Sequence, residues 1–168
     1  MTLDELNQLD STDAHQKFQG CCASTYWVKG MSRARPFEDW AELLSTAAEL
    51  EEEMTDEDWL EAFEGHPQIG DVSTLREKYA STKALAAGEQ SGVDSADEAT
   101  LQGLADGNKA YFDKFGFIFI VCATGKSAAE MLALLEQRLP NDRKTELRIA
   151  ATEQAKITRI RLEKLRAA

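Results

Sequence analysis

Cysteine, proline and histidine are all scarce in this chain, and each scarcity narrows what the protein can be. The three cysteines, Cys21, Cys22 and Cys122, include no Cys-x-x-Cys pair. That spacing argues against a disulfide framework or a zinc knuckle and leaves free, packed thiols as the expectation. The three prolines, at 36, 67 and 140, fall between periodic segments, where helices stop or begin. With only two histidines and with acids scattered over helix surfaces, no metal site is expected. Gly-x-Ser-x-Gly, a Gly-rich phosphate loop, His-Glu-x-x-His and a dinucleotide fingerprint are all missing. No apolar run approaches the roughly 20 residues of a membrane span. The start, Met1 to Glu5, does not resemble a leader, and the final Leu165-Arg166-Ala167-Ala168 lacks a Ser-Lys-Leu address, so a cytoplasmic location is expected.

Positive charge is in deficit as well. Nineteen Lys and Arg face thirty Asp and Glu, for a net charge of -11 and a pI near 4.7. Such a surface repels phosphate backbones and anionic lipid, which leaves nucleic acid and membranes as poor partners. A small anionic substrate would need a local cation. The 168 residues and 43% hydrophobic content fit one folded domain over residues 1–168.

What the chain does have is helix punctuation. Thr2 with Glu5, Thr55 with Asp58, Thr74 with Glu77, Ser95 with Glu98 and Ser127 with Glu130 each pair a cap with an acid three residues on. With the apolar periodicity they predict helices near 2–9, 12–29, 37–50, 55–64, 72–86, 95–114, 127–138 and 142–166, an all-α bundle of about eight or nine helices. The exception is Phe115 to Ala123, an apolar run rich in β-branched and aromatic residues with no second strand to pair with. It is expected to be an extended or tightly turned buried segment whose backbone groups take partners from side chains or a ligand, and so to be a pocket wall.

Three places could carry chemistry. His66, between Gly65 and Pro67, lies on irregular backbone after a patterned helix, where an imidazole can face a substrate. Glu89-Gln90-Ser91-Gly92 is either a site loop or a solvated helix end; beside His66, its carboxylate could share acid and base roles. On the last helix Leu147, Ala150, Gln154, Ile157, Arg161 and Leu165 form one stripe, which turns Arg161 inward. Its guanidinium either meets a carboxylate or ureido group of a ligand or pairs with an internal acid. His15 reads as a packing or surface histidine, Trp27, Trp40 and Trp59 as core or inter-helix aromatics, and Lys126 as a solvated residue where a helix begins.

Several of these stretches occur together, in order, in one known family. Cys21 to Trp27, Ala34-Arg35-Pro36-Phe37, His66-Pro67-Gln68-Ile69-Gly70, Glu89-Gln90-Ser91-Gly92, Lys114-Phe115-Gly116-Phe117, Phe119 to Ala123, Arg138-Leu139 and Ile157 to Leu162, with Asn108, Tyr111 and Asn141, resemble the 2-oxo-4-hydroxy-4-carboxy-5-ureidoimidazoline (OHCU) decarboxylases over almost the whole chain. These enzymes complete the conversion of urate to (S)-allantoin. The resemblance implies an all-helical fold, usually a homodimer, that works with no cofactor or metal. It implies His66, Glu89 and Arg161 as catalytic residues, with Pro67, Gln90 and the Phe117, Ile118, Phe119, Ile120 and Val121 run lining the substrate. Ala86 stands where many members carry serine, and is expected to be a weaker site residue. Two other readings stand beside this one: an acidic helical interaction module without activity, and a lyase for another ureide.

Overall fold

The computed structural model describes residues 1–68, 72–77 and 98–168, and all regular structure among them is helical. The helices are α1 (Leu3–Gln8), α2 (Ser11–Gln19), α3 (Thr25–Ala34), α4 (Trp40–Glu53), α5 (Asp56–Glu64), α6 (72–77), α7 (Glu98–Phe115), α8 (Ala128–Arg138) and α9 (Arg143–Ala167). Capping explains most starts. Thr2 and Thr55 form reciprocal boxes with Glu5 and Asp58, and Ser127 accepts the Glu130 N–H. Thr74, expected at a helix start, instead lies inside α6, and Ser95 falls outside the described residues.

The expected helix 12–29 is in fact two helices. The N–H groups of Cys21 and Cys22 both return to the Phe18 carbonyl, and Ser24 caps the new helix by accepting the Trp27 N–H at 3.3 Å. Gly20 ends α2 and Ser24 starts α3, so two local signals outweigh the continuous apolar pattern.

The chain divides into two compact units. The first contains Met1–His66, Ile120–Cys122 and Leu147–Ala168. Its core centres on Trp27, fully buried, with its ring edge-on to Phe18 and its Nε1–H donated to the Ala47 carbonyl at 3.3 Å. Arg35 closes the end of α1 by donating to the carbonyls of Leu6 and Leu9 at 2.9 and 2.8 Å. Beside it, the Asn7 amide exchanges two hydrogen bonds with the Phe37 backbone, across a cis Arg35–Pro36 bond. The Arg35-Pro36-Phe37 stretch is therefore architectural. His15 is also a packing histidine, its Nδ1 within 2.9 Å of the Ser11 carbonyl and 3.2 Å of the Ser32 hydroxyl.

The second unit contains the described residues of Pro67–Phe119 and Ala123–Glu146. Here α7 and α8 approach closely enough that a Cβ on Gly107 would stand 2.5 Å from Leu135 Cδ2. The fully buried Glu146 accepts hydrogen bonds from the Tyr111 hydroxyl, from Arg138 Nε at 2.9 Å and from Asn141 Nδ2 at 2.9 Å. Arg138 in turn lies 4.6 Å above the Phe119 ring, within the cluster of Tyr111, Phe115, Phe117 and Phe119.

The apolar run after Phe115 forms no strand, as expected. Gly116, at φ +80°, turns the chain after α7. Side chains do partner this backbone: Arg143 Nε donates to the Phe115 carbonyl at 3.1 Å, and in the first unit the Cys122 N–H donates to Glu153 Oε1 at 3.2 Å.

Replacing Arg138 by Met would leave the Glu146 carboxylate buried without its cation. The expected loss is about 3–5 kcal/mol of unfolding free energy, measured by urea denaturation.

Candidate active site

His66 follows directly on the end of α5. The Gly65 N–H returns to the Ala62 carbonyl at 3.2 Å and the His66 N–H to that of Phe63 at 3.1 Å, so the imidazole stands one residue past the helix cap. Gly65 is needed here for space. Its φ of -70° suits any residue, but an added Cβ would lie 2.5 Å from Ala23 Cβ, in the connection between α2 and α3. Close packing, rather than left-handed backbone, demands a glycine at this helix end.

The opposite side of the site comes from α9. Its buried positions are Leu147, Ala150, Gln154, Thr158 and Leu162, while Ile157, expected on that stripe, is half-buried. Gln154 Oε1 lies 2.5 Å from His66 Nε2, and Gln154 Nε2 donates to Thr158 Oγ1 at 3.1 Å. Arg161, two turns beyond Gln154, is half-buried and donates to the Cys21 carbonyl at 3.4 Å. Among the described residues it forms no ion pair, so the bland alternative of an internal salt bridge finds no support there.

His66, Gln154 and Arg161 line one cavity of about 350 Å³ with Gln19, Gly20, Ala23, Ala62 and Gly65. A second, of about 330 Å³, shares Gly20 and Arg161 and adds Gln16, Lys17, Cys21, Lys164 and Leu165. No acidic side chain belongs to either described lining. In a chain of net charge -11, this face carries Lys17, Lys164 and Arg161, the local cations that an anionic ligand requires.

Electrostatics favour a neutral imidazole. Burial lowers the pKa of His66, the Gln154 hydrogen bond partly offsets this, and the Arg161 charge lowers it further. At neutral pH the ring can therefore accept a proton. Burial pushes the neighbouring thiols up, Cys21 to about 12 and Cys22 to about 11, which keeps both protonated at neutral pH.

His66 and Arg161, chosen from sequence, thus meet in one cavity. Ile120 and Val121 belong to the same unit, buried and half-buried, without entering that cavity's described lining. Phe117 and Phe119 are buried in the second unit's aromatic cluster, Ile118 is half-buried and Pro67 exposed. Ala86, Glu89 and Gln90 lie outside the described residues. Gln154 was visible as a polar residue on an apolar stripe but had no assigned role; its spacing from Arg161, seven residues along one helix face, was the available signal. Among the described residues no group of three or more His, Cys, Asp or Glu is placed to hold a metal ion, and no helix is long and apolar enough to cross a membrane.

Comparison with known proteins gives consistent likenesses. A family model described as OHCU decarboxylase matches residues 7–163. The uric acid degradation bifunctional protein TTL of Arabidopsis thaliana is 39% identical over 146 residues, 86% of this chain and 45% of that protein. The 2-oxo-4-hydroxy-4-carboxy-5-ureidoimidazoline decarboxylase of Haloferax volcanii is 28% identical over 163 residues, 96% of this chain and 94% of that one. Among solved structures, a crystal structure of OHCU decarboxylase in the presence of (S)-allantoin matches with a TM-score of 0.72 and 39% identity, covering 90% of this chain and 97% of that one. The chain spans less than half the length of the Arabidopsis protein and 32% of two bifunctional relatives from Bacillus.

The Gly65 contact makes a direct prediction. Gly65→Ala forces α5 and the Ala23 connection apart, with an expected destabilisation of about 1–3 kcal/mol in thermal or denaturant unfolding. The His66 NMR signal should shift with it; an unchanged signal and unchanged stability would show that the contact is slack.

Proposed function

The chain belongs to the OHCU decarboxylase family, and from that membership we propose that it converts 2-oxo-4-hydroxy-4-carboxy-5-ureidoimidazoline to (S)-allantoin and carbon dioxide, as the last step in degrading urate. The observation that carries this reading is the convergence of a neutral imidazole and a half-buried guanidinium on one cavity without a described acid. The substrate is anionic, and its chemistry needs proton transfer more than it needs an electron sink of the protein's own.

The substrate's carboxyl-bearing carbon also carries a hydroxyl and adjoins an imine-like carbon. When the bond to the carboxylate breaks, carbon dioxide leaves and the electron pair enters the ring as a new carbon–carbon double bond, while the imine nitrogen takes a proton. The enol so formed then loses its hydroxyl proton and gains one at the ureido-bearing carbon. The net change is uptake of one proton and loss of carbon dioxide. Delivery to one face of that carbon sets the (S) centre.

In this scheme Arg161 binds the anionic carboxylate or a ureido oxygen through its planar fork. Glu89 accepts the hydroxyl proton, and His66 positions the carboxylate or carries the proton that fixes the configuration. Pro67, Ala86, Gln90 and the Phe117 to Val121 run complete the substrate's surroundings, partly through backbone groups. Binding and orientation matter alongside acceleration, because the substrate decays unaided to racemic product. The same reading takes residues 1–168 as one decarboxylase-like domain, cytoplasmic, acting as a homodimer without a cofactor.

Freshly prepared substrate tests the proposal: the protein should produce optical activity quickly, whereas decay indistinguishable from buffer would defeat it. His66→Asn should keep the fold and lower the rate by about a hundredfold or more, read as loss of that optical signal. Arg161→Lys retains charge and loses the fork, so kcat/KM should fall by at least about tenfold. Wild-type kinetics in Arg161→Lys would reduce Arg161 to a structural tie to the Cys21 carbonyl.

A further inference from the structure

Gln154 is fully buried on α9, and both ends of its amide are occupied. Its Nε2 donates to Thr158 Oγ1, which turns Oε1 toward His66 Nε2. Thr158 is itself 1% exposed and lies beside the Cys22 thiol. Gln154 therefore gives an N–H to the Thr158 oxygen, and the Gln154 oxygen is left to accept. An amide oxygen cannot donate, so the proton on the shared contact belongs to His66 Nε2.

A neutral imidazole protonated on Nε2 carries its free lone pair on Nδ1. Among the described residues, Nδ1 of His66 has no hydrogen-bond partner, although the ring lines the cavity that holds Arg161. Among the described residues that line the cavity there is no carboxylate, so the buried amide orients the ring without supplying charge.

We infer that Gln154, held by Thr158, is a positioning residue that fixes His66 as the Nε2–H tautomer, so that Nδ1 is the atom that accepts and returns the proton during the reaction. This rests on the acid–base reading of His66 and goes one step further, to the atom and to the residue that selects it. The role is comparable to that of the group behind a catalytic imidazole in a hydrolase triad, with one difference: a neutral acceptor leaves the ring neutral at rest.

The test uses the full chain with His15→Gln, which leaves His66 as the one imidazole for nitrogen-15 NMR. The expected spectrum shows a protonated Nε2 and an unprotonated Nδ1. Gln154→Glu presents a carboxylate to the same N–H and should raise the His66 pKa by about one unit or more, while Gln154→Met removes the acceptor and should lower it. The His66-controlled limb of the kcat profile against pH should move with each, and Gln154→Met should lower kcat about tenfold with KM within about twofold. Thr158→Val, which only frees the amide to turn, should shift the same signals less, and near-native melting of at least one variant shows that folding is not the cause. A wild-type Nδ1–H tautomer, or a His66 pKa unmoved in every folded variant, overturns the inference. A pKa that moves while the kcat limb stays in place instead overturns the acid–base reading on which it rests.

Discussion

Along α9, Glu146, Glu153, Gln154 and Thr158 lose most or all of their water on folding, and each must find protein partners or destabilise the fold. The partners they find organise the molecule. Glu146 gathers Tyr111, Arg138 and Asn141 and, through Arg138, the ring of Phe119. Glu153 pairs with Lys156 and takes the N–H of Cys122, which anchors the Ile120–Cys122 segment in the first unit. Gln154 and Thr158 hold His66 and reach the Cys22 thiol. One helix thus supplies structural partners and orients the candidate base, because a buried polar side chain cannot be satisfied approximately.

Charge is distributed with the same economy. The chain is strongly acidic, yet the described linings of the two adjoining cavities hold Arg161, Lys17 and Lys164 with no acid among them. The negative exterior discourages polyanions, and the local cations admit a small anion. Burial, with a smaller contribution from the Arg161 charge, favours a neutral His66 that is ready to take a proton.

Much of this was legible in the residues themselves. Cap-and-acid pairs located the starts of α1, α5 and α8, and helix periodicity turned Arg161 inward. His66 stood out because it sits between Gly65 and Pro67 on irregular backbone. The break between α2 and α3 was missed because Gly20 and Ser24 interrupt an apolar pattern that continues in phase through both helices. The role of Gln154 was missed for another reason: its partners lie 88 residues away and one turn away, and only the first of these tells what the side chain does.

From the sequence alone follow the helical class, the acidic surface, the absence of a membrane-length apolar run and the likeness to a decarboxylase family, because each depends on local pattern or composition. Tertiary structure decided that Gly65 must lack a side chain, since Ala23 approaches it from another connection. It also decided that His66 Nε2 meets Gln154, and that Arg161 opens onto a cavity whose described lining holds no acid. These are contacts between residues far apart in the chain, and their energies depend on distances that no local pattern encodes.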